Sequence, residues 1–430
     1  MKLWTAPLKT LTRAAVCAVL VPVSGCHVHA DWPGLQGPDQ NGVVTGSRIA
    51  RHWPPGGPKV LWSAPVGPGY GGPSIRDGEV YLLDREDDER DVLRCLDLAT
   101  GRELWRFTHE VPGRLTFNGS RSVPTVGRER VFAVGPFGHF YCVDRLTHQP
   151  LWQVQILERF AKEPQNFGFV QAPLLYKDTV IVCPASKTVG MVALDRATGH
   201  VRWQSEPLGT KGYVSPRLHR FAGVDGVLLV TDQQVSSIDA NSGTLLWKYT
   251  AYNPPQPIAF PTVLDQGRLF VSAGDDVGSV MLEVTKDDAG FTARAQFAMK
   301  DHGAQLHPPL YHQGHLYGKF NTYETFDRSR KLVSRFICLD LDGRIRWRFD
   351  DRRIIERGNW IIADGLLFIL DGSTGELTMV EANPAQYREL ARARVLEGEP
   401  SMISPLALSD GRLLVRDQQE IKCLDVSDRR

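Results

Sequence analysis

Short apolar stretches bounded by glycine, proline and aspartate recur along this chain from about residue 60 to its end. Their alternation of apolar and polar positions predicts β-strands, and no segment shows the periodicity of an amphipathic helix. The stretches form units with a common order: a proline, a strand, a turn, a second strand, a third strand with an aspartate and a fourth with a tryptophan. The pattern therefore predicts an all-β protein built from repeats.

The hairpin between the third and fourth strands is the most informative part of the unit. Its first copy is CLDLATGRELW at residues 95–105, in which Asp97 accepts hydrogen bonds from the turn and Gly101 supplies a positive φ. Other copies repeat the tryptophan, with the glycine in three of them: Trp152, Trp203, Trp247, Trp347, Gly199, Gly243 and, in a turn one residue shorter, Gly343. The second copy has His148 in place of the glycine, and a partial copy at residues 422–426 stops before any tryptophan.

Eight units are counted from the residues at which they open: Pro73, Pro124, Pro173, Pro216, Pro261, Pro308, Ile361 and Pro405. Their spacing of about 47 residues is typical of a four-stranded propeller blade. Units five and seven keep the strand spacing but lack the tryptophan hairpin. We therefore predict an eight-bladed β-propeller of four-stranded antiparallel blades over residues 59–430.

The two ends of the repeat array complement each other. The last unit has only three strands, whereas residues 61–62 supply a strand with no unit of its own. Pairing the two would close the ring and remove its exposed strand edges. An open solenoid would not explain these matching deficits, so we expect an N-terminal strand to complete the last blade.

The repeated hairpin resembles the tryptophan-docking motif of the pyrroloquinoline quinone (PQQ)-type propeller repeat. The resemblance covers residues 61–426 and implies that each outer-strand tryptophan packs against the next blade, near a small residue and a glycine. The matching positions are Trp62, Trp105, Trp152, Trp203, Trp247, Trp347, Gly101, Gly199 and Gly243. WD40 and kelch repeats fit worse because the Trp-Asp dipeptide and the glycine pair are absent.

This resemblance implies one of two functional branches. Quinoprotein dehydrogenases oxidise alcohols or sugars with PQQ and a calcium ion, typically beneath a disulfide between adjacent cysteines. BamB-like proteins are envelope lipoproteins that act as non-catalytic scaffolds in outer-membrane β-barrel assembly. No two cysteines are adjacent here, and the acidic clusters at residues 86–91, 275–276 and 287–288 are predicted to be solvated hairpin turns rather than calcium ligands.

Composition and charge exclude further classes. The 430-residue chain has a net charge of +1, which gives no support for nucleic-acid binding. Cys95, Cys142, Cys338 and Cys423 fall at the small-residue position of the repeat, so we expect free, buried thiols. Four histidines lie close in sequence at positions 302–315, but strand alternation separates them and no metal site is expected.

Residues 1–30 have the features of an export signal, a basic start followed by a short apolar run. VSGC at residues 23–26 resembles a bacterial lipobox, which would make Cys26 the lipidated first residue. Cleavage after Ala30 by an ordinary signal peptidase is the alternative. Residues 31–58 are rich in glycine and proline and are predicted to form an extended arm.

Binding residues follow from propeller geometry. The loop into each inner strand crosses one face and ends at the central channel, so residues one to three positions before each opening position should ring its mouth. These residues are Tyr70, Arg121, Gln171, Tyr213, Phe260, His307 and Trp360. An arginine among aromatics is typical of protein-binding surfaces, although the same residues could simply plug the channel. The loop at residues 157–169, with Phe160, Phe167 and Phe169, is a second candidate surface.

The sequence therefore favours an exported, monomeric scaffold in the periplasm or anchored to the envelope membrane by lipid alone. We expect it to bind a protein or extended polypeptide on one face, without a cofactor, a metal or catalysis. A PQQ-dependent alcohol or sugar dehydrogenase is the alternative hypothesis.

Overall fold

A computed structural model of the chain describes residues 1, 30–160, 162–163, 166–274, 276–326, 329–349, 357–397 and 403–428, without the side chains of residues 322–332. Eight sheets follow one another in chain order. This confirms the predicted all-β, eight-bladed propeller of four-stranded antiparallel blades. The predicted signal segment and Cys26 lie outside the described residues.

The blades are numbered 1–8 along the chain, and their strands are given from the innermost to the outermost. The strands of blades 1–4 are Ser74–Arg76, Glu79–Glu86, Arg90–Asp97 and Glu103–Glu110; Thr125–Val126, Arg130–Val134, His139–Asp144 and Pro150–Gln155; Leu174–Tyr176, Thr179–Val182, Val192–Asp195 and Val201–Gln204; Arg217–Phe221, Val224–Val230, Val235–Asp239 and Leu245–Tyr249. The strands of blades 5–7 are Thr262–Val263, Arg268–Ala273, Gly278–Asp287 and Gly290–Met299; Leu310–His312, His315–Phe326, Ser329–Asp340 and Ile345–Arg348; Asn359–Ala363, Leu366–Leu370, Glu376–Glu381 and Glu389–Arg394. Short elements outside this scheme are Val43–Val44, His302–Gly303, the helix Ile156–Arg159 and the 3-10 turn Asp265–Gly267.

Blade 8 contains the predicted ring closure. Its first three strands are Ala407–Ser409, Arg412–Arg416 and Glu420–Asp425, and its outer strand is the N-terminal segment Lys59–Pro65. The outer strand pairs antiparallel with Glu420–Asp425, and Trp62 lies opposite Cys423. The two ends of the propeller are therefore held together by one hydrogen-bonded ladder.

The register of the outer hairpins explains why the repeat needs a small residue. Each tryptophan faces a small side chain across the ladder, as Trp105 faces Cys95 and Trp203 faces Ala193. A β-bulge lies beside each of these pairs, where the outer strand has one extra residue. A bulge redirects the following side chain, and here it turns the indole toward the next blade.

The indole rings lie on the glycine turns of the neighbouring blades. A Cβ atom at Gly101 would be 2.5 Å from Trp62 Cε3, and one at Gly243 would be 2.6 Å from Trp203 Cε3. These glycines have φ values of +73° and +78°, so they are needed both for the turn and for the contact. Trp62 Nε1 also donates to the carbonyl of Leu98 at 2.9 Å.

Blade 5 makes the same contact between an aromatic ring and the glycine turn of the next blade, but with a phenylalanine in place of the tryptophan. Phe297 faces Met281 beside the same type of bulge, and a Cβ at Gly343 of blade 6 would lie 2.7 Å from Phe297 Cε2. At the preceding seam, the buried Trp247 Nε1 has no hydrogen-bond partner. Trp105 Nε1 likewise has no partner among the described residues although blade 2 keeps the aspartate turn, and Trp347 Nε1 donates to the Asn383 carbonyl of blade 7, so the aspartate turn alone does not decide whether an indole finds an acceptor.

Buried apolar side chains fill the seams between blades. One cluster joins Trp62 and Val415 of blade 8 to Leu82 of blade 1 and Phe368 of blade 7. All five described cysteines, Cys95, Cys142, Cys183, Cys338 and Cys423, are buried with free thiols.

Residues 31–50 cross the face at which the inner strands end. Trp32 is fully buried and forms a bridge with Ile75 of blade 1, and Val43–Val44 pairs parallel with the inner strand of blade 7. Ile49 bridges Ser427 beside blade 8. The segment predicted as an extended arm is thus packed against the consecutive blades 7, 8 and 1, and the Leu218 amide of blade 4 donates to Gln40 Oε1 on the other side of the channel.

Candidate functional site

A cavity of about 320 Å³ lies at the mouth of the central channel, on the face where the inner strands begin. Six of the seven ring positions predicted from the sequence line it: Tyr70, Arg121, Tyr213, Phe260, His307 and Trp360. Five of them come from the loops before the inner strands of blades 1, 2, 4, 5 and 6, and Trp360 is the second residue of the inner strand of blade 7. The regular entry of the chain into each inner strand brings them together.

Gln171, the seventh predicted ring residue, does not line this cavity. Its side chain is only 1% exposed, and its amide donates to the carbonyls of Cys183 and Gly212 and accepts from the Cys183 amide. Gln171 therefore fixes the backbone of blade 3. A binding role for it is not supported by this geometry, because its hydrogen-bonding groups are already satisfied.

The floor of the cavity comes from the N-terminal segment. Leu35 lines this cavity and also a smaller one of about 190 Å³ on the opposite face. The two cavities share Ala172 and Ser215 as walls. Leu35 therefore narrows the channel between them, a role that no repeat pattern could have indicated.

Aromatic rings dominate one wall. Phe117 lies 5.9 Å from Phe167 between ring centroids, and Phe167 lies 5.5 Å from Tyr213 in an edge-on arrangement. Tyr70 meets Phe117 at 6.4 Å, also edge-on. Such a row offers a rigid apolar surface at little cost in side-chain entropy.

The loop at residues 157–169 contributes only one of its three phenylalanines to this wall. Phe167 faces the cavity, whereas Phe160 and Phe169 are 4% and 7% exposed and belong to the core that joins blades 2 and 3. The expectation that the three rings form a contact surface was wrong for Phe160 and Phe169.

Arg121 is held in a fixed position at the cavity wall. Its guanidinium donates to the carbonyls of Gly119 and Phe117 and lies 5.3 Å from the centre of the Tyr70 ring. Burial lowers the pKa of Arg121 to about 10, so the side chain remains charged at neutral pH.

His307 occupies the opposite side of the cavity. Its ring contacts the carbonyl of Ile403 at 3.1 Å and the amide nitrogen of Asn359 at 3.0 Å, and meets the Trp360 ring edge-on at 5.7 Å. Burial and the nearby Lys319 ammonium lower the pKa of His307 to about 4. The imidazole is therefore neutral under ordinary conditions and contributes polar contacts rather than charge.

Sequence reasoning missed Phe117, Lys319 and Arg357 as lining residues. The prediction considered only one residue shortly before each opening position, whereas Phe117 lies earlier in such a loop and Lys319 lies on the second strand of blade 6. Loop length could have indicated Phe117, but neither a repeat nor a motif marks Lys319.

The described lining does not suit a calcium-dependent quinone site. Calcium prefers six to eight oxygen ligands with several carboxylates, and none of the described residues around this cavity is an aspartate or glutamate. Across the described part of the chain, no group of three histidine, cysteine, aspartate or glutamate side chains is arranged to hold a metal.

In the acidic cluster at residues 86–91, Asp87 and Glu89 are exposed in a turn as predicted, but Asp91 is not solvated. Asp91 is 1% exposed, pairs with Arg85 at 2.6 Å and accepts a hydrogen bond from the Tyr141 hydroxyl at 2.9 Å. Arg85 also donates to the carbonyls of Val111 and Gly113. This carboxylate is therefore structural: it forms an ion pair within blade 1 and accepts a hydrogen bond from blade 2. Asp287 and Asp288 are exposed, and Asp275 lies outside the described residues.

Comparisons with known proteins agree with this fold. No curated protein sequence matches the chain significantly. BamB from Moraxella catarrhalis superposes with a TM-score of 0.60 at 14% identity, covering 86% of this chain and 98% of that one.

Two enzymes superpose on the chain to a similar degree. A quinohemoprotein alcohol dehydrogenase from Comamonas testosteroni gives a TM-score of 0.62 at 13% identity, covering 93% of this chain and 81% of that one. One from Pseudomonas putida HK5 gives 0.61 at 12% identity, with coverages of 93% and 80%. At these identities the likeness concerns the fold alone.

The sequence itself matches a family model. The model described as outer membrane protein assembly factor BamB matches residues 88–347 and 231–429, which together span most of the chain. The chain therefore belongs to the family of the outer membrane protein assembly factor BamB.

Proposed function

We propose that this protein is a non-catalytic scaffold of the bacterial cell envelope that binds a protein or extended polypeptide in the channel-mouth cavity. The observation that carries the proposal is the cavity itself: a concave site of about 320 Å³ with aromatic walls. Buried aromatic and arginine side chains are typical anchors in protein recognition. Membership of the BamB family supports a scaffold role.

Localisation is part of the same proposal. Residues 1–30 have the composition of an export signal, and VSGC at residues 23–26 would place a lipid on Cys26. No helix in the described part of the chain is long and apolar enough to cross a membrane. Labelling with a radioactive fatty acid tests this point: we expect incorporation in the native chain and none after Cys26→Ala.

A direct binding test uses three labelled peptides in a Gly-Ser background, with a central Asp-Phe-Leu, Ser-Phe-Leu or Lys-Phe-Leu. Ile258 lines the cavity, so Ile258→Trp should fill it and weaken binding of every peptide that the native protein binds. Leu151→Trp is the control, because Leu151 is 44% exposed on the outer strand of blade 2. If no peptide binds, or Ile258→Trp has no effect, the proposal is wrong.

The alternative is a quinone-dependent alcohol or sugar dehydrogenase. It is favoured by the fold of the two dehydrogenases but not by the described cavity lining. Titration with PQQ and Ca²⁺, followed by a dye-linked assay of alcohol oxidation, separates the two functions. Turnover would overturn the scaffold proposal.

A further inference from the structure

The charge of the channel-mouth cavity indicates which polypeptides it binds, provided that the proposed function holds. Arg121, Lys319 and Arg357 line it, whereas none of the other described lining residues is acidic. The His307 imidazole is neutral and leaves the charge of the lining unchanged. The described lining therefore sets a cation, Arg121, among aromatic rings, whereas Lys319 and Arg357 have interactions of their own and are not needed for the inference.

A further cation lies directly behind this wall. The guanidinium carbon of Arg217 is 4.7 Å from the centre of the Phe260 ring, and Phe260 lines the cavity. Arg217 is 5% exposed, its buried Nε has no hydrogen-bond partner among the described residues, and burial lowers its pKa to about 9, so it is still charged at neutral pH. In a low-dielectric interior this uncompensated charge strengthens the positive potential at the ring.

Arg121 is the residue best placed to meet a ligand. Its two recorded hydrogen bonds go to backbone carbonyls, which hold the guanidinium without neutralising it. The ionisable groups that act on it are the hydroxyls of Tyr70 and Tyr213 rather than a carboxylate. An arginine fixed in this way is preorganised for a carboxylate, with which it forms charge-assisted hydrogen bonds.

We infer that the cavity selects an acidic polypeptide segment, with an apolar or aromatic side chain seated among the rings and a neighbouring carboxylate paired with Arg121. Apolar contact supplies affinity, and the charge supplies selectivity and faster association. A basic segment of the same length is disfavoured by like-charge repulsion inside a partly dehydrated site.

The three peptides described above test this inference. We expect the Asp-Phe-Leu peptide to bind about tenfold more tightly than the Ser-Phe-Leu peptide, equivalent to 1.4 kcal/mol. The Lys-Phe-Leu peptide should bind most weakly. Arg121→Gln should remove most of the preference for aspartate, and Arg121→Lys should retain part of it because the charge remains.

A measurement on the unmodified protein guards against a folding defect in these variants. The preference for the acidic peptide should fall as salt is raised to about 0.5 M, because screening weakens the charge pair more than the apolar contact. Equal binding of all three peptides, blocked by Ile258→Trp, would overturn the charge inference but leave the proposed function intact. Absence of binding by any peptide would overturn both.

Discussion

The contact between an indole and a glycine turn can be tested with a matched pair of glycines in blade 4. Gly243 and Gly223 have nearly the same positive φ, +78° and +79°. A Cβ at Gly243 would lie 2.6 Å from Trp203 Cε3, whereas a Cβ at Gly223 would meet nothing within 4 Å. Gly223→Ala therefore measures the cost of the backbone conformation, and Gly243→Ala measures that cost together with the clash.

The expected magnitudes follow from these two terms. Alanine in a left-handed conformation costs about 1 to 2 kcal/mol, which is the full expected effect of Gly223→Ala. Overpacking against a fixed side chain adds about 1 to 3 kcal/mol. Trp203 is only 8% exposed and donates to the Ala240 carbonyl, so the ring has little freedom to move away. Gly243→Ala should thus lower the free energy of unfolding by about 2 to 5 kcal/mol.

The assay is equilibrium urea unfolding followed by circular dichroism, with a double-mutant cycle. Trp203→Ala alone should cost about 3 to 5 kcal/mol because it removes a buried indole from the seam. In that background, the cost of Gly243→Ala should fall to the value measured for Gly223→Ala. Equal costs for the two glycines in the native background, or an unchanged cost after Trp203→Ala, would refute the proposed contact.

Three further predictions follow from the structure. Deleting residues 58–65 removes the outer strand of blade 8 and should cause aggregation and a lower melting temperature; a soluble protein with an unchanged melting temperature would contradict the closure. Although burial acts to raise it, hydrogen bonds from Arg202 and Thr198 lower the pKa of Asp195 to about 2. The free energy of unfolding of the native protein should therefore exceed that of Asp195→Asn by the largest amount above the unfolded pKa of about 4. This difference should disappear as the pH falls toward 2, as measured by urea unfolding at each pH. Phe297→Ala should destabilise the seam between blades 5 and 6 by about 3 to 5 kcal/mol in the same assay, whereas a change below about 0.5 kcal/mol would show that Phe297 does not replace the missing tryptophan.

The fold was predictable because its determinants repeat. Each residue of the hairpin motif has one local task, as Asp97, Gly101 and Trp105 show. Every further copy of the motif reduced the number of folds that could contain all the copies. Ring closure was also predictable, since the unattached strand containing Trp62 had the same pattern as the other outer strands. Phe297 was missed because a different residue type makes the same contact in blade 5.

The site was predictable only in part. The entry of the chain into the inner strands places Tyr70, Tyr213 and Trp360 around the channel by geometry alone, and the sequence predicted these positions. Whether such a residue faces the cavity depends on local hydrogen bonding, which turns Gln171 into the blade. The role of Leu35 could not be predicted from the sequence. Its position depends on how the N-terminal segment, which is not part of any repeat, crosses the face opposite the cavity.

Mapping where a peptide lies tests the central claim most directly. The Asp-Phe-Leu peptide, with benzoylphenylalanine replacing its phenylalanine, is cross-linked to the native protein by light, and the modified residues are identified by mass spectrometry. The account predicts saturable labelling of cavity residues such as Phe117, Tyr213 and Phe260, and loss of that labelling in Ile258→Trp. Labelling confined to the outer strands of the blades, or unaffected by Ile258→Trp, would contradict it.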